Sequence, residues 1–121
     1  MSAPNLANIS TITAKSVQAT LNTTLTTEIL ANEGSSGKVF KVNNILVANI
    51  DGTNSANASV AITKSGGSPI MIASTIAVPA DSSLVVVDRN TNLYLEEGDN
   101  IESGASANSD LTITINYEEL S

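Results

Sequence analysis

The sequence predicts an all-β protein: a single antiparallel β-sandwich or jelly-roll-like domain of about eight strands with an extended N-terminal arm. Three observations favour this fold. Short apolar–polar alternations run through the 121 residues, turn-forming residues separate them roughly every 8–12 positions, and no stretch of about ten residues has the apolar spacing of a helix. The length suits one hydrophobic core. Periodicity leaves the choice between sandwich and jelly roll open.

Residues 1–14 are predicted to form the arm, and residues 15–121 the sandwich domain. The segment Met1–Ile9 is small and polar, and it lacks the alternation of a strand. Arms of this kind often dock onto a neighbouring molecule. The predicted contact residues in the arm are Pro4, Leu6 and Ile9.

The first strands are expected to form a hairpin, with Lys15–Leu21 and Leu25–Ala31 joined by Asn22–Thr24. The clearest strand is Val39–Ile50. Its second half is apolar on both faces, which is typical of a central strand. The residues expected to share its apolar face, which Asn44 interrupts, are Phe40, Val42, Leu46, Ala48 and Ile50.

Further strands are expected wherever alternation resumes between turns. In Pro69–Val78 one parity is aliphatic, and in Leu111–Leu120 the odd-numbered residues up to Tyr117 are expected to face inward. The aliphatic residues of that first parity are Ile70, Ile72, Ile76 and Val78. The other expected strands are Ala58–Ile62, Leu84–Asp88, Leu93–Leu95 and Ile101–Ala107.

The composition indicates an aliphatic core, because 41% of the residues are hydrophobic but only 2% are aromatic. The three rings belong to Phe40, Tyr94 and Tyr117. We expect Phe40 to be buried in the central strand. An exposed Phe40 would instead be a candidate contact residue, since a lone exposed ring suits an interface.

The charge balance argues against nucleic acid and membrane as partners. Five Lys and Arg face twelve Asp and Glu, giving a net charge of -7, so the summed field repels phosphate backbones and anionic lipids. No window approaches the roughly 18 apolar residues of a membrane span, and the first residues lack the pattern of an export signal. We therefore expect a soluble protein.

The reactive side chains of most enzymes are missing. With no His and no Cys, the sequence excludes Ser-His-Asp and Cys-His catalysis and nearly every zinc or haem site. Acidic residues could serve a glycosidase, but we interpret them as solvated charges that keep strand edges soluble. Those acidic residues are Glu96, Glu97, Asp99, Glu102, Glu118 and Glu119.

A calcium site at Glu96–Asp99 is a further alternative, although the spacing matches no EF-hand loop. We expect no enzyme activity, no cofactor and no metal. Among the scattered cations, Lys38 and Lys41 are predicted to orient an assembly contact beside an acidic neighbouring subunit.

The run GKVFKVNNILVANIDGTN, Gly37–Asn54, resembles a segment of small virion structural proteins of tailed bacteriophages, especially those of marine cyanobacteria. The similarity extends to Val78–Ser82, Leu93–Asp99 and Leu111–Glu119, so it spans most of the chain from Lys15 onward. It implies a virion structural protein without an active site.

The resemblance and the composition together favour a capsid decoration, or cement, protein that binds the outer shell and bridges capsid subunits. The expected partners are the major capsid protein or other virion proteins, and we expect a homo-oligomer. The expected location is the virion, assembled in the host cytoplasm. The alternatives are a tail, neck or fibre component, a carbohydrate-binding module that relies on Tyr94 or Tyr117, and, third, an enzyme.

Overall fold

The computed structural model describes residues 6–25, 27–91 and 93–121, and of Leu6 only the backbone. Within these residues nine strands form two antiparallel sheets, which confirms the predicted all-β sandwich. A short 3-10 turn, Leu6–Asn8, precedes them. The strands are β1 (Ile12–Thr20), β2 (Thr27–Ala31), β3 (Val39–Asn49), β4 (Ala56–Thr63), β5 (Ile70–Val78), β6 (Ser83–Val87), β7 (Leu93–Leu95), β8 (Asn100–Ala105) and β9 (Leu111–Leu120).

The first sheet has the order β1-β9-β3-β6, and β7 also pairs with β3. Strands β6 and β7 pair with different halves of β3, on the side of β3 away from β9. The second sheet has the order β2-β8-β4-β5. The central position predicted for β3 is therefore confirmed, and β5 is an edge strand.

The predicted first hairpin is wrong, because β1 pairs with β9 in the first sheet and β2 pairs with β8 in the second. The connection between them crosses from one sheet to the other. The Asn22 side chain accepts hydrogen bonds from the Thr24 amide (2.8 Å) and the Thr27 hydroxyl (3.1 Å) and so fixes the turn. The same turn-forming residues serve a hairpin and a crossover, which is why the sequence did not distinguish them.

The first strand begins at Ile12, inside the segment predicted to be the arm. The amides of Ser10 and Thr11 donate to the Ser121 carbonyl oxygen at 2.7 and 2.8 Å, so the chain is tied to the C-terminus just before β1. Of the predicted arm contacts, Pro4 lies outside the described residues.

The predicted face assignment of β3 is right only in its first half. Phe40 and Val42 are buried, but the pairing with β9 slips between Val42 and Asn44, so Asn43 forms a β-bulge. Because one inserted residue reverses which face each later side chain occupies, Ile45 and Val47 enter the core. The residues expected inward that the bulge turns away from the core are Leu46, Ala48 and Ile50, of which Ile50 is 60% exposed.

The core lies between the two sheets and is almost entirely aliphatic. The inward pattern predicted for β9 is confirmed, since Leu111, Ile113 and Ile115 are fully buried. The Tyr117 ring packs against Phe40 with their centroids 5.1 Å apart. Phe40 is 6% exposed, so its ring belongs to the core and is not a contact residue.

Two buried asparagines hold the loops at the ends of β3. The Asn32 amide nitrogen donates to the carbonyl oxygens of Lys38 (2.9 Å) and Leu95 (3.0 Å). The Asn49 amide nitrogen donates to those of Asn54 and Val78, both at 2.9 Å. These bonds satisfy backbone acceptors that would otherwise be costly to bury.

The substitution Phe40→Ala should lower the free energy of unfolding by roughly 3–5 kcal/mol, because it leaves a cavity beside Tyr117. Urea denaturation followed by circular dichroism measures the loss. The matched control is Tyr94→Ala, whose ring is 43% exposed and should cost less than about 1 kcal/mol. Equal losses in the two variants would contradict the burial of Phe40.

Candidate functional site

The predicted contact lysines lie in different surroundings. Lys38 binds the Glu119 carboxylate at 2.9 Å, and Lys15 binds its other oxygen at 3.3 Å. Lys41 is a residue of β3 on the outer face of the first sheet, and it forms no salt bridge with Glu119 in the described structure. In the predicted arm, Ile9 is half-buried and Leu6 begins the 3-10 turn. The structure does not bring these residues together into one surface.

Burial opposes ionisation of Glu119, but hydrogen bonds and charge from Lys38 and Lys15 outweigh it and lower the pKa of Glu119. The carboxylate side chain is only 11% exposed, so water screens this pairing less than that of a typical surface ion pair. The cluster fastens the start of β3 to the end of β9. Its role is structural.

The acidic turn Glu96–Asp99 also makes internal contacts. The Asp99 carboxylate, 2% exposed, accepts from Lys64 Nζ (2.5 Å) and from the amides of Ser65 (3.1 Å) and Glu96 (2.8 Å). The hydrogen bond from Lys64 to Asp99 raises the pKa of Lys64. Glu97 accepts from the Gly37 amide at 3.0 Å.

These contacts engage both carboxylate oxygens of Asp99 and one carboxylate oxygen of Glu97. In the described ranges no group of three acidic residues is arranged to hold a metal ion. Glu118 and Glu119 contact different partners, Asn43 and the two lysines respectively. No helix among the residues with described positions is long and apolar enough to cross a bilayer.

The most apolar surface of the protein is on β5. Eight large hydrophobic residues are exposed in the described part of the chain, and four of them are on this one strand. We call these four the β5 patch: Ile70 (61% exposed), Met71 (37%), Ile72 (36%) and Ile76 (41%). From Ser65 to Ala80 the sequence has no charged residue, so the patch is also uncharged.

The pairing of β5 with β4 has two breaks. Ile72 has no partner between the Met71–Ala61 and Ala73–Val60 pairs, and a further residue is inserted near Thr75. Thr75 has φ +48°, and its amide donates to the Ser59 hydroxyl at 2.9 Å. Of the four aliphatic residues that share the expected parity, only Val78 is buried.

A polar cleft of about 440 Å³ lies on the outer face of the first sheet. It forms where the β3 bulge at Asn43 faces the break between β6 and β7, because Val87 pairs with Ile45 and Leu93 with Val42. The turn Asp88–Thr91 fills the break. The residues that line the polar cleft are Lys41, Asn43, Asn44, Arg89, Asn116 and Glu118.

Two side-chain hydrogen bonds join residues of the cleft. The Asn116 amide nitrogen donates to Asn44 Oδ1 at 2.7 Å, and that of Asn43 reaches Glu118 Oε1 at 3.4 Å. Tyr94 is the cross-strand neighbour of Lys41 on β7, and Glu118 is its neighbour on β9. Of the predicted contact residues whose side chains the structure describes, Lys41 alone lines the cleft.

No protein-family model matches the chain, and a search of curated proteins finds no match. Sequence reasoning missed both the β5 patch and the polar cleft. The absence of charge from Ser65 to Ala80 was visible and could have indicated the patch. Nothing in the sequence alone brings Arg89 beside Asn43 and Asn116.

Replacing Glu119 with Gln should lower the free energy of unfolding by about 1 kcal/mol at pH 7. The pKa of Glu119 is lower in the folded protein than in the unfolded chain. Its carboxylate therefore stabilises the fold at pH values above the unfolded-state pKa, and this contribution is lost as the pH falls through the folded-state pKa. The difference between wild type and variant should therefore be smaller in acid, below the ordinary pKa of a glutamate carboxyl, than at pH 7. Urea titrations at both pH values measure it.

The matched control is Glu33→Gln, which removes an exposed carboxylate and should change stability little at either pH. A Glu119→Gln deficit that persists unchanged in acid would show that the carboxylate charge is not what stabilises this cluster.

Proposed function

We propose that the chain is a non-enzymatic structural protein of a bacteriophage particle, and specifically a capsid decoration protein that attaches to the outer shell through the β5 patch. The observation that carries this proposal is the uncharged aliphatic edge strand in a chain of net charge -7. Exposed apolar patches of this kind are typical of protein–protein contact sites. The resemblance to phage virion proteins supports the particle as its setting.

The chemistry of β5 favours docking by side chains over extension of the sheet. A partner strand pairs best with a long, flat edge, and the two register breaks make β5 irregular. A shallow apolar groove on a shell protein therefore fits the patch better than another strand.

The charge balance favours a shell protein over a second copy at this patch. Two copies carry -7 each, so their summed fields repel one another as they approach. A shell protein need not share that acidic balance. If the β5 patch contacts the shell, a homo-oligomer of the chain uses a different surface and presents several β5 patches at once.

The energy available is modest for each copy. Burying such a side chain completely gains roughly 1.5–3 kcal/mol, and covering the four half-exposed residues gains on the order of 4 kcal/mol before the cost of association. A symmetric shell repeats the contact, and a homo-oligomer engages several sites together, so avidity can supply the remainder. This suits a protein that bridges capsid subunits.

The substitution Ile70→Lys should abolish binding to shells of the encoding phage that lack this protein, because it places a charge in the middle of the apolar contact. The matched control is Ile12→Lys, at the same 61% exposure on the opposite edge strand β1, which should bind as wild type does. Cosedimentation with shells measures binding, and circular dichroism verifies the fold.

Equal binding by both variants would contradict attachment through β5. A concentration-dependent dimer in sedimentation velocity that Ile70→Lys alone abolishes would assign the patch to a second copy instead. Antibody labelling of intact particles then tests the position: signal over the whole head supports decoration, and signal confined to a vertex or the tail indicates a tail, neck or fibre component.

Deleting residues 1–9 should lower shell affinity strongly while changing the free energy of unfolding by less than about 1 kcal/mol. Shell affinity should fall because the arm is a predicted contact. Stability should change little because β1 begins at Ile12 and the backbone hydrogen bonds to Ser121 begin at Ser10, so the deletion leaves the sheet intact. Cosedimentation and urea denaturation provide the two measurements. Undiminished affinity would remove the arm from the proposed contact.

A further inference from the structure

The polar cleft has an excess of positive charge in an acidic protein. Lys15, Lys38 and Lys64 all form salt bridges, whereas the Lys41 and Arg89 side chains form none with any described residue. With Glu118 as the one acidic residue in the lining, the cleft has a local charge of +1 while the chain carries -7. The two unpaired cations therefore converge on one place that favours an anionic group.

Three side-chain amides supply hydrogen bonds that suit a ligand with several hydroxyl groups. The Asn116–Asn44 bond leaves Asn44 Nδ2 and Asn116 Oδ1 without a partner among the described residues, and Asn43 Oδ1 is also free. These atoms are one donor and two acceptors within one half-buried surface. Sugar hydroxyl groups both donate and accept, so they match this mixed set better than a ligand that only accepts.

An exposed ring lies at the margin of the cleft. Tyr94, Lys41 and Glu118 form one row across β7, β3 and β9, which spans about 10 Å at ordinary strand spacing. The Tyr94 ring is 43% exposed, whereas Tyr117 is only 8% exposed and packs on Phe40. Tyr94 alone of the two tyrosines can therefore offer a face to a sugar ring.

We infer that the polar cleft binds an acidic saccharide, a sugar whose ring carries a carboxylate group. Arg89 provides a planar fork for that carboxylate, Lys41 provides a point charge, and the asparagine amides contact the ring hydroxyl groups. The volume of about 440 Å³ falls within the roughly 300–1,000 Å³ of small-molecule sites. A polyanion such as nucleic acid is disfavoured by the net charge and by Glu118.

This binding does not depend on the proposed attachment to a capsid. The cleft is on the outer face of the first sheet, and the β5 patch is on an edge strand of the second sheet, so one can be covered while the other stays in solvent. Attachment through β5 would leave the cleft free to contact acidic glycans. The isolated chain can be tested without shells.

The experiment is an NMR titration of the ¹⁵N-labelled full chain with glucuronate, galacturonate and N-acetylneuraminate, with glucose as the neutral probe and a polyglutamate peptide as the acidic-peptide probe. At least one sugar acid should shift the side-chain amide signals of Asn43, Asn44 and Asn116. Glucose and polyglutamate should shift them much less. Absence of any shift with all three sugar acids would overturn the inference.

Two substitutions that remove the same charge provide the matched control. Lys41→Gln should weaken sugar-acid binding about tenfold or more, since a hydrogen bond to a charged group is worth roughly 1.5–3 kcal/mol. Lys38→Gln, whose ammonium group binds Glu119 outside the cleft, should leave affinity nearly unchanged. Equal weakening by the two variants would indicate attraction to overall charge and would overturn the inference.

Two further variants separate the role of the Arg89 guanidinium group from that of the Tyr94 ring. Arg89→Gln should weaken the sugar acid about tenfold or more and leave the fold intact, because Arg89 is in an exposed turn. Tyr94→Ala should weaken binding less, and for every sugar acid alike. Polyglutamate binding as strong as the best sugar acid would reassign the cleft to acidic peptides and overturn the saccharide assignment.

Discussion

The pairing of β3 with β9, interrupted by one inserted residue at Asn43, is the constraint on which the rest of the structure depends. Before the bulge Phe40 and Val42 face the core, and after it Ile45 and Val47 do. In a ladder without the bulge, Asn49 would face away from the core and lose its bonds to the Asn54 and Val78 carbonyls. The same inserted residue lies in the polar cleft, so one backbone irregularity both fills the core and shapes the outer face.

The cations of this acidic chain divide into those that stabilise the fold and those that remain available. Lys15 and Lys38 neutralise Glu119 between β1, β3 and β9, and Lys64 neutralises buried Asp99. Each of these pairs joins segments distant in sequence, and each carboxylate would be costly to bury alone. Among the residues with described positions, only the cations of the polar cleft have no such partner, which is why that cleft can attract an anion despite the unfavourable net charge.

The strand boundaries were largely predictable because alternation and turn chemistry are local, and β3 and β9 illustrate this. Their partners were not, since the Asn22 turn looks like a hairpin turn and instead connects two sheets. The directions of the side chains could not be predicted past the bulges in β3 and β5, because the register there depends on tertiary pairing that periodicity does not contain. The candidate sites lie at those same irregular places, so the features least visible in the sequence are the ones that shape the candidate surfaces.

The bulges in the two sheets have different consequences for the surface because the strands have different neighbours. In β3 pairing continues on both sides, so the inserted residue leaves a recess whose margins are fixed by β9, β6 and β7. In β5 no strand among the described residues lies beyond the edge, so aliphatic side chains of this strand stay exposed to solvent. A recess with polar walls suits a small ligand, whereas exposed apolar surface is typical of protein contact sites. The two bulged strands therefore place the two candidate surfaces on different sheets of one small domain.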